Sequence, residues 1–278
     1  MKRTHALSRW AGIALLTFLT ACQNPPTQAD PNAGEAAVNR ALTGKALWQE
    51  KCRTVAGEKI YRKVENVEGL LLMKLRPPVG DREWADRMWP GAAFAREATG
   101  NGYIDTFLAY EYALNPAGKN DPVTPTNRGY ISTDRRPGGL PGYRWVEVID
   151  EKDGQRYRYS GRWEEPWQKN KSYLKGYIKF YPDKTPASNP PPRYGVTFED
   201  HVIPEDRYLG IASSTIKVID LSTNEVMGEM TRYAWSPGAA SRVNPSPWLT
   251  AYRCPDQAST GADTRKFVDL ILIPAKEK

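Results

Sequence analysis

YGVTFEDHVIPEDRYLGIASSTIKVIDLSTNEVMGEMTRYAW, running from Tyr194 to Trp235, is the stretch on which a reading of this chain turns. It can be laid over Arg128–Trp163 with a few gaps. Gly129-Tyr130-Ile131-Ser132-Thr133-Asp134 answers Gly195-Val196-Thr197-Phe198-Glu199-Asp200, Val148-Ile149-Asp150 answers Val218-Ile219-Asp220, and Trp163 answers Trp235. Each copy reads as a strand, a proline-containing loop and a hairpin. The hairpin turns are Glu151-Lys152-Asp153-Gly154 and Leu221-Ser222-Thr223-Asn224, in which Asp-Gly and Asn supply the positive φ that tight turns need. Convergence of two ordinary hairpins is the alternative to duplication, because two copies fall short of an array. Under either reading the second half is β-rich, and Pro182–Pro192 separates the two units as a stiff, extended spacer.

Outward from this pair, Phe267–Ile273 is apolar enough for a last buried strand. Toward the N-terminus, Glu58–Arg76 reads as a β-hairpin whose second arm, Leu70-Leu71-Leu72-Met73, is a buried strand ending before Pro77-Pro78. Arg82–Ala98, with Trp84, Met88 and Trp89 on one helical arc, and Tyr103–Leu114 read as short helices or irregular packing segments. Val38–Val55 places Leu42, Ala46 and Leu47 at helical spacing, although Gly44 weakens the helix. The expected class is α+β: antiparallel and β-rich, with two similar strand-loop-hairpin units (128–163 and 194–235) and a few short helices.

The first 22 residues carry an address. Lys2, Arg3 and Arg9 precede an apolar run from Trp10 to Thr20, too short for a spanning helix of ~20 residues. The run closes on Leu19-Thr20-Ala21-Cys22, which resembles the lipobox of bacterial lipoproteins, and that resemblance implies cleavage after residue 21 and acylation of Cys22. Acyl chains at ~0.8 kcal/mol per buried CH₂ would hold the protein on a bilayer durably. Gln23 stands where lipoproteins of this type carry Asp when retained at the inner membrane, so the expected location is the periplasmic face of the outer membrane. Residues 22–37, rich in Pro, Asn, Gln, Ala and Gly, read as a lipidated flexible tether to a periplasmic domain over 38–278.

Removal of the leader also changes the charge. The net of +7 falls to +4 when Lys2, Arg3 and Arg9 leave, which is ordinary for a chain of this size and argues against a nucleic-acid partner. With Cys22 acylated, Cys52 and Cys254 are the thiols that remain, and in an oxidising compartment a pair is most simply a disulfide; two free buried thiols are the alternative. Such a bridge would span 202 residues of sequence and limit unfolded-state entropy by up to about 5 kcal/mol.

Catalytic motifs are scarce. The chain has no G-x-S-x-G elbow, phosphate-cradling glycine loop, H-E-x-x-H helix or Cys-His spacing for a metal. His201 is the histidine that outlasts cleavage. It sits in Glu199-Asp200-His201-Val202-Ile203-Pro204-Glu205-Asp206, which reads as a solvated acidic loop rather than a cation site, since metal sites draw ligands from rigid elements at set spacing. A hydrolase using His201 as base would need a nucleophile that the sequence does not identify. Asp150–Gly154 is a turn, because Lys152 occupies what would be a calcium-ligand position. The expectation is therefore no enzyme, no cofactor and no metal.

Recognition residues are better represented. Arg156-Tyr157-Arg158-Tyr159 as a strand puts both arginines on one face and both tyrosines on the other, giving either a binding surface or core tyrosines beneath a solvated basic face. Arg135 and Arg136 lie in a Pro-Gly-Gly loop, and Trp163 and Trp167 bracket Glu164-Glu165-Pro166. Arg and Trp are enriched where binding energy concentrates.

Phe198-Glu199-Asp200, Pro204-Glu205-Asp206-Arg207, Gly210-Ile211-Ala212, Ile216–Leu221, Asn224-Glu225-Val226 and Cys254-Pro255 are similar to segments of a group of little-characterised proteobacterial lipoproteins. Some of that group resemble immunity proteins encoded beside lipase effectors of the type VI secretion system. The resemblance covers about half the mature chain, carries over no inhibitory residue, and implies an outer-membrane-anchored protein that binds an incoming phospholipase. The competing class is an envelope structural or assembly lipoprotein touching glycans or proteins through its tyrosines and tryptophans.

Overall fold

A computed structural model describes residues 33–108, 141–173, 175, 179–255 and 261–276. In chain order the elements are α1 (Ala33–Thr54), β1 (Gly57–Ile60), β2 (Val64–Val67), β3 (Gly69–Leu72), α2 (Asp81–Ala85), a 3-10 turn (Pro90–Phe94) and α3 (Asn101–Leu108). There follow β4 (Trp145–Ile149), β5 (Arg156–Glu164), a 3-10 turn (Pro166–Gln168), β6 (Lys179–Pro186), β7 (Tyr194–His201), α4 (Pro204–Tyr208), β8 (Ile211–Asp220) and β9 (Glu225–Trp235). The chain closes with β10 (Tyr252–Cys254), α5 (Asp263–Asp269) and β11 (Leu272–Pro274).

β3 is the axis of the main sheet. It runs parallel to β7 on one side and to β4 on the other, and every other pairing in that sheet is antiparallel. One flank is the meander β7-β8-β9, with β1 and β10 both on the outer side of β9. The other is β4-β5-β6. The fold is thus α+β and β-rich with mostly antiparallel strands, as the sequence predicts. Both expected hairpins form, with Gly154 (φ +68°) and Asn224 (φ +58°) in the left-handed region their turns require.

The match between the two units differs from the sequence alignment. Val148 was laid over Val218, yet β4 occupies the place of β7, beside β3, whereas β8 lies one strand further out. The opening part of the first unit, 128–140, lies outside the described residues. The spacer is also partly a strand: Pro182 and Pro186 belong to β6, the outermost strand among the described residues, where a residue without an N–H is tolerated because one side of the strand pairs with none of them.

Three further expectations change. Glu58–Arg76 is not a hairpin: β1 pairs β9, β2 pairs β11, and β3 pairs β4 and β7. Local periodicity identifies strands but carries no information on distant partners. Phe267 and Val268 belong to helix α5, with the strand beginning at Leu272, which is the ambiguity inherent in short apolar runs. Helix α1 starts at Ala33, inside the expected tether, because Ala33, Glu35, Ala36 and Ala37 are good helix formers. Helix α1 is long but polar, and no helix among the described residues is long and apolar enough to cross a membrane.

One sheet face makes the core. Leu70, Leu72, Val146, Val148, Val196, Ile216, Val218 and Met230 pack there against Phe94, Tyr103, Phe107, Phe267 and Val268. At ~1.5–3 kcal/mol for each large side chain fully removed from water, this layer dominates the stability. The opposite face is covered at one end, where Ala41, Leu47 and Trp48 of α1 meet Ile211, Tyr233 and Trp235. Gly44 is the close-approach point: a Cβ there would lie 2.2 Å from the Leu209 carbonyl oxygen and 2.9 Å from Trp235 Nε1. Helix propensity is sacrificed for contact. Cys52 and Cys254 are joined by a disulfide, with Cα atoms 5.6 Å apart, which ties the last turns of α1 to β10.

Candidate functional site

Strand alternation puts Arg156 and Arg158 on the sheet face away from the core, and Tyr159 against the core cluster, as expected. The same alternation brings Trp145 and Glu147 of β4 beside the arginines. Glu147 is fully buried; Arg158 donates to its Oε1 from Nε at 2.9 Å and Nη2 at 2.7 Å, and Arg156 Nε lies 2.7 Å from Oε2. Arg156 also donates through Nη2 to the Ser188 carbonyl (2.7 Å) and Asn189 Oδ1 (3.0 Å). The Arg158 guanidinium stacks 4.1 Å above the Trp145 ring, and that ring covers Gly69, where a Cβ would come within 2.2 Å of it. The row is therefore ordered, with one carboxylate shared between two guanidinium groups. Two arginines in sequence suggest a cationic face, and the neighbouring strand supplies one carboxylate that offsets half of their charge.

Around this row, Arg144 pairs with Glu68, and Arg162 pairs with Glu164 (2.6 Å) and with Asp183. Arg162 is half exposed, so these outer pairs contribute little to stability and leave a polar, amphoteric rim. Trp167 sits in the second 3-10 turn with Lys171 Nζ 3.7 Å and Lys175 Nζ 5.9 Å from its ring centre. Trp163 lies on β5 opposite Phe180 of β6. Arg156, Arg158 and Trp163 thus share one strand, with Trp167 just beyond its end. Arg135, Arg136 and Cys22 lie outside the described residues.

The His201 segment is less solvated than its composition suggests. Asp200 lies on the core face and accepts from Arg76 Nη1 at 3.4 Å, while α4 carries Arg207 into the interior, where Nη2 donates to the carbonyls of Pro90 (3.3 Å) and His201 (3.2 Å). Burial pushes the Arg207 guanidinium down to about 10. His201 Nε2 lies 3.1 Å from Thr215 Oγ1, which in turn is 3.0 Å from Thr231 Oγ1, and Glu199 Oε1 is 4.0 Å from Nδ1. A carboxylate at that distance does not orient the imidazole by a hydrogen bond. Thr215 is in mid-strand, its backbone flanked by paired strands on both sides, so its own amide is committed to the sheet. Among the described residues, no three His, Cys, Asp or Glu side chains come together as metal ligands.

Sequence reasoning missed a buried charged cluster over the core face. Arg76 and Arg232 place their guanidinium carbons 4.4 and 4.5 Å from the Phe94 ring centre, and Arg232 Nη1 donates to Asp263 Oδ2 at 2.6 Å. Glu97, also buried, accepts from the backbone N–H groups of Asp263 (3.1 Å) and Thr264 (3.3 Å) at the start of α5. Burial raises its carboxyl to about 7, against the opposing pull of Arg76. These residues are far apart in sequence and follow no motif. No family model, curated protein or solved structure matches the chain.

Proposed function

We propose that the protein is an outer-membrane-anchored, periplasm-facing lipoprotein that acts by binding a protein partner, and that the partner is a phospholipase effector delivered by a type VI secretion system. The observation that carries the binding role is the β4–β5 row of Trp145, Glu147, Arg156 and Arg158: aromatic and guanidinium groups held rigid on a sheet face remote from the core. Preorganised Arg and Trp side chains lose little entropy when a partner docks, and that is where interface energy concentrates. The disulfide supports export, since such bridges persist in oxidising compartments. The Leu19–Cys22 run supports anchoring through acylated Cys22. The reading is of a binder rather than an enzyme.

The test is protection of cells against a lipase effector encoded beside the gene, scored with thermal melting of each variant. Simultaneous replacement of Arg156 and Arg158 by Ala, made together with Glu147→Gln so that no buried carboxylate is left without a partner, is expected to abolish protection while the protein still folds, and Cys22→Ala to abolish acyl labelling. Full protection by that folded variant would remove the face from the interface. Unchanged labelling would refute the anchor.

A further inference from the structure

On the other side of the sheet from that row, the segment after β3, helix α2 and the 3-10 turn Pro90–Phe94 enclose a cavity of about 310 Å³. Its floor is apolar and buried at Trp89, Phe94 and Ala95, and Pro77 and Pro78 carry apolar surface out to the rim. Arg76, Asp200 and Glu83 supply the charges of the walls. Two of them cancel. Arg76 is 4 % exposed, clamped between the rings of Phe94 (4.4 Å) and Phe198 (4.1 Å), and paired with Asp200 at 3.4 Å. Glu83 has no such counter-ion. It is half-buried, its Oε2 accepts the Gly80 N–H at 2.9 Å, and it forms an ion pair with no Lys or Arg among the described residues. That hydrogen bond holds its carboxyl below the ordinary range, so it is ionised at neutral pH. The walls thus join one uncompensated negative charge to a large apolar surface.

We infer that this cavity is a binding site for a small amphipathic monocation, an aliphatic ammonium, with its charged head on the Glu83 carboxylate and its apolar body against Pro77, Pro78, Trp89 and Phe94. Charge sets the head. An ammonium donates to a carboxylate through a charge-assisted hydrogen bond, about twice as strong as a neutral one. A carboxylate or phosphate head would meet Glu83 as a like charge, and the donors that Arg76 does not give to Asp200, Nε and Nη2, are enclosed in the protein beyond a ligand's reach. Size sets the body: at roughly 30 Å³ for a water-sized group, about ten heavy atoms fill the space. A neutral alcohol of the same length gains the apolar contact alone. The site is independent of the partner-binding face, which lies on the opposite side of the sheet.

Octylammonium is of that size and is the probe, titrated into the purified protein and followed by calorimetry, with octanol and octanoate as its neutral and anionic counterparts. Saturable octylammonium binding is expected, about tenfold tighter than that of octanol, with octanoate the weakest of the three. Glu83→Gln keeps an acceptor for the Gly80 N–H and removes the charge, so it should bring octylammonium down to the affinity of octanol, leaving octanol binding and the melting temperature unmoved. Thr99→Phe, which places a ring in the cavity from its wall, should weaken octylammonium and octanol alike by about tenfold or more. If Glu83→Gln does not fold, the order of the three head groups on the native protein and the loss in Thr99→Phe decide. No saturable binding by the native protein, octanol or octanoate binding as tightly as octylammonium, or unchanged octylammonium binding in folded Glu83→Gln or folded Thr99→Phe would each overturn the proposal.

Discussion

The meanders β7-β8-β9 and β4-β5-β6 both begin parallel to β3 and step away from it in antiparallel order, yet they are packed differently. In β8, nine-tenths or more of the surface is lost at Ile211, Ala212, Ser213, Ser214, Thr215, Ile216, Val218 and Asp220. Turns, helices and the disulfide surround it on both faces. Strand β5 presents Tyr159 to the core and little else, while its other face is held by ion pairs. Each meander contains a fully buried carboxylate shared by two arginines: Asp220 with Arg62 and Arg193, and Glu147 with Arg156 and Arg158. The Asp220 cluster closes the hairpin end, where Ser222 also donates to the carboxylate, and those hydrogen bonds hold it well below the usual range. The Glu147 cluster stands on a sheet face. The first cluster fixes a turn; the second uses the same device on a face remote from the core, the face to which the proposed partner site is assigned.

The sharpest way to break the contrast is the disulfide, which belongs to the β7-β8-β9 side through β10 and β9. Replacing Cys52 and Cys254 together by Ala should cost 2–5 kcal/mol by denaturant titration, as removal of native bridges does. Amide exchange should quicken first in β9 and β10 and least in β5. Uniform quickening would mean that the two flanks open as one unit.

Glu97 tests the packing above the core face. Its folded carboxyl is raised from 4.5 to about 7, so the stability it lends is complete below about pH 4.5 and is lost as the pH rises to about 7, a change on the order of 3 kcal/mol. Chemical denaturation at pH 5 and pH 8 should show this difference shrinking in Glu97→Gln, which keeps an acceptor for the α5 amides without a charge. An identical pH slope in the variant would place the loss elsewhere.

On the β4-β5-β6 flank, Glu147→Ala leaves Arg156 and Arg158 without their shared carboxylate and should cost about 1–3 kcal/mol, with β4 and β5 losing exchange protection and β8 keeping it. Single changes at Arg135, Arg136 or Trp167 are expected to weaken partner binding by about 1 kcal/mol or more with the melting temperature unmoved. The smallest effect falls at His201. Its Thr215 partner retains Thr231, so His201→Ala should stay within about 0.5 kcal/mol in stability and leave protection intact. Loss of protection at unchanged stability would reopen a chemical role for that imidazole.

Much of this was legible in local chemistry. The alternation of Arg156, Tyr157, Arg158 and Tyr159 sorted the two faces of β5, Asp153-Gly154 and Asn224 marked their turns, the two thiols left once Cys22 is set aside pointed to Cys52–Cys254, and Leu70–Leu72 read as a buried strand. Other features depend on partners distant in sequence. Nothing near Arg156 announces that Glu147 neutralises it, nothing in Gly44 or Gly69 reveals the Trp235 and Trp145 rings that need the space, and Phe267-Val268 is apolar in a way that suits helix and strand alike. Local rules reach only as far as a turn or a strand's alternation, because backbone sterics and side-chain direction act over a few residues. Strand order, the parallel pairing of β3 with both flanks, and the gathering of Arg76, Arg232, Glu97 and Asp263 around Phe94 are settled by which distant surfaces can exclude water together. That choice belongs to the whole chain.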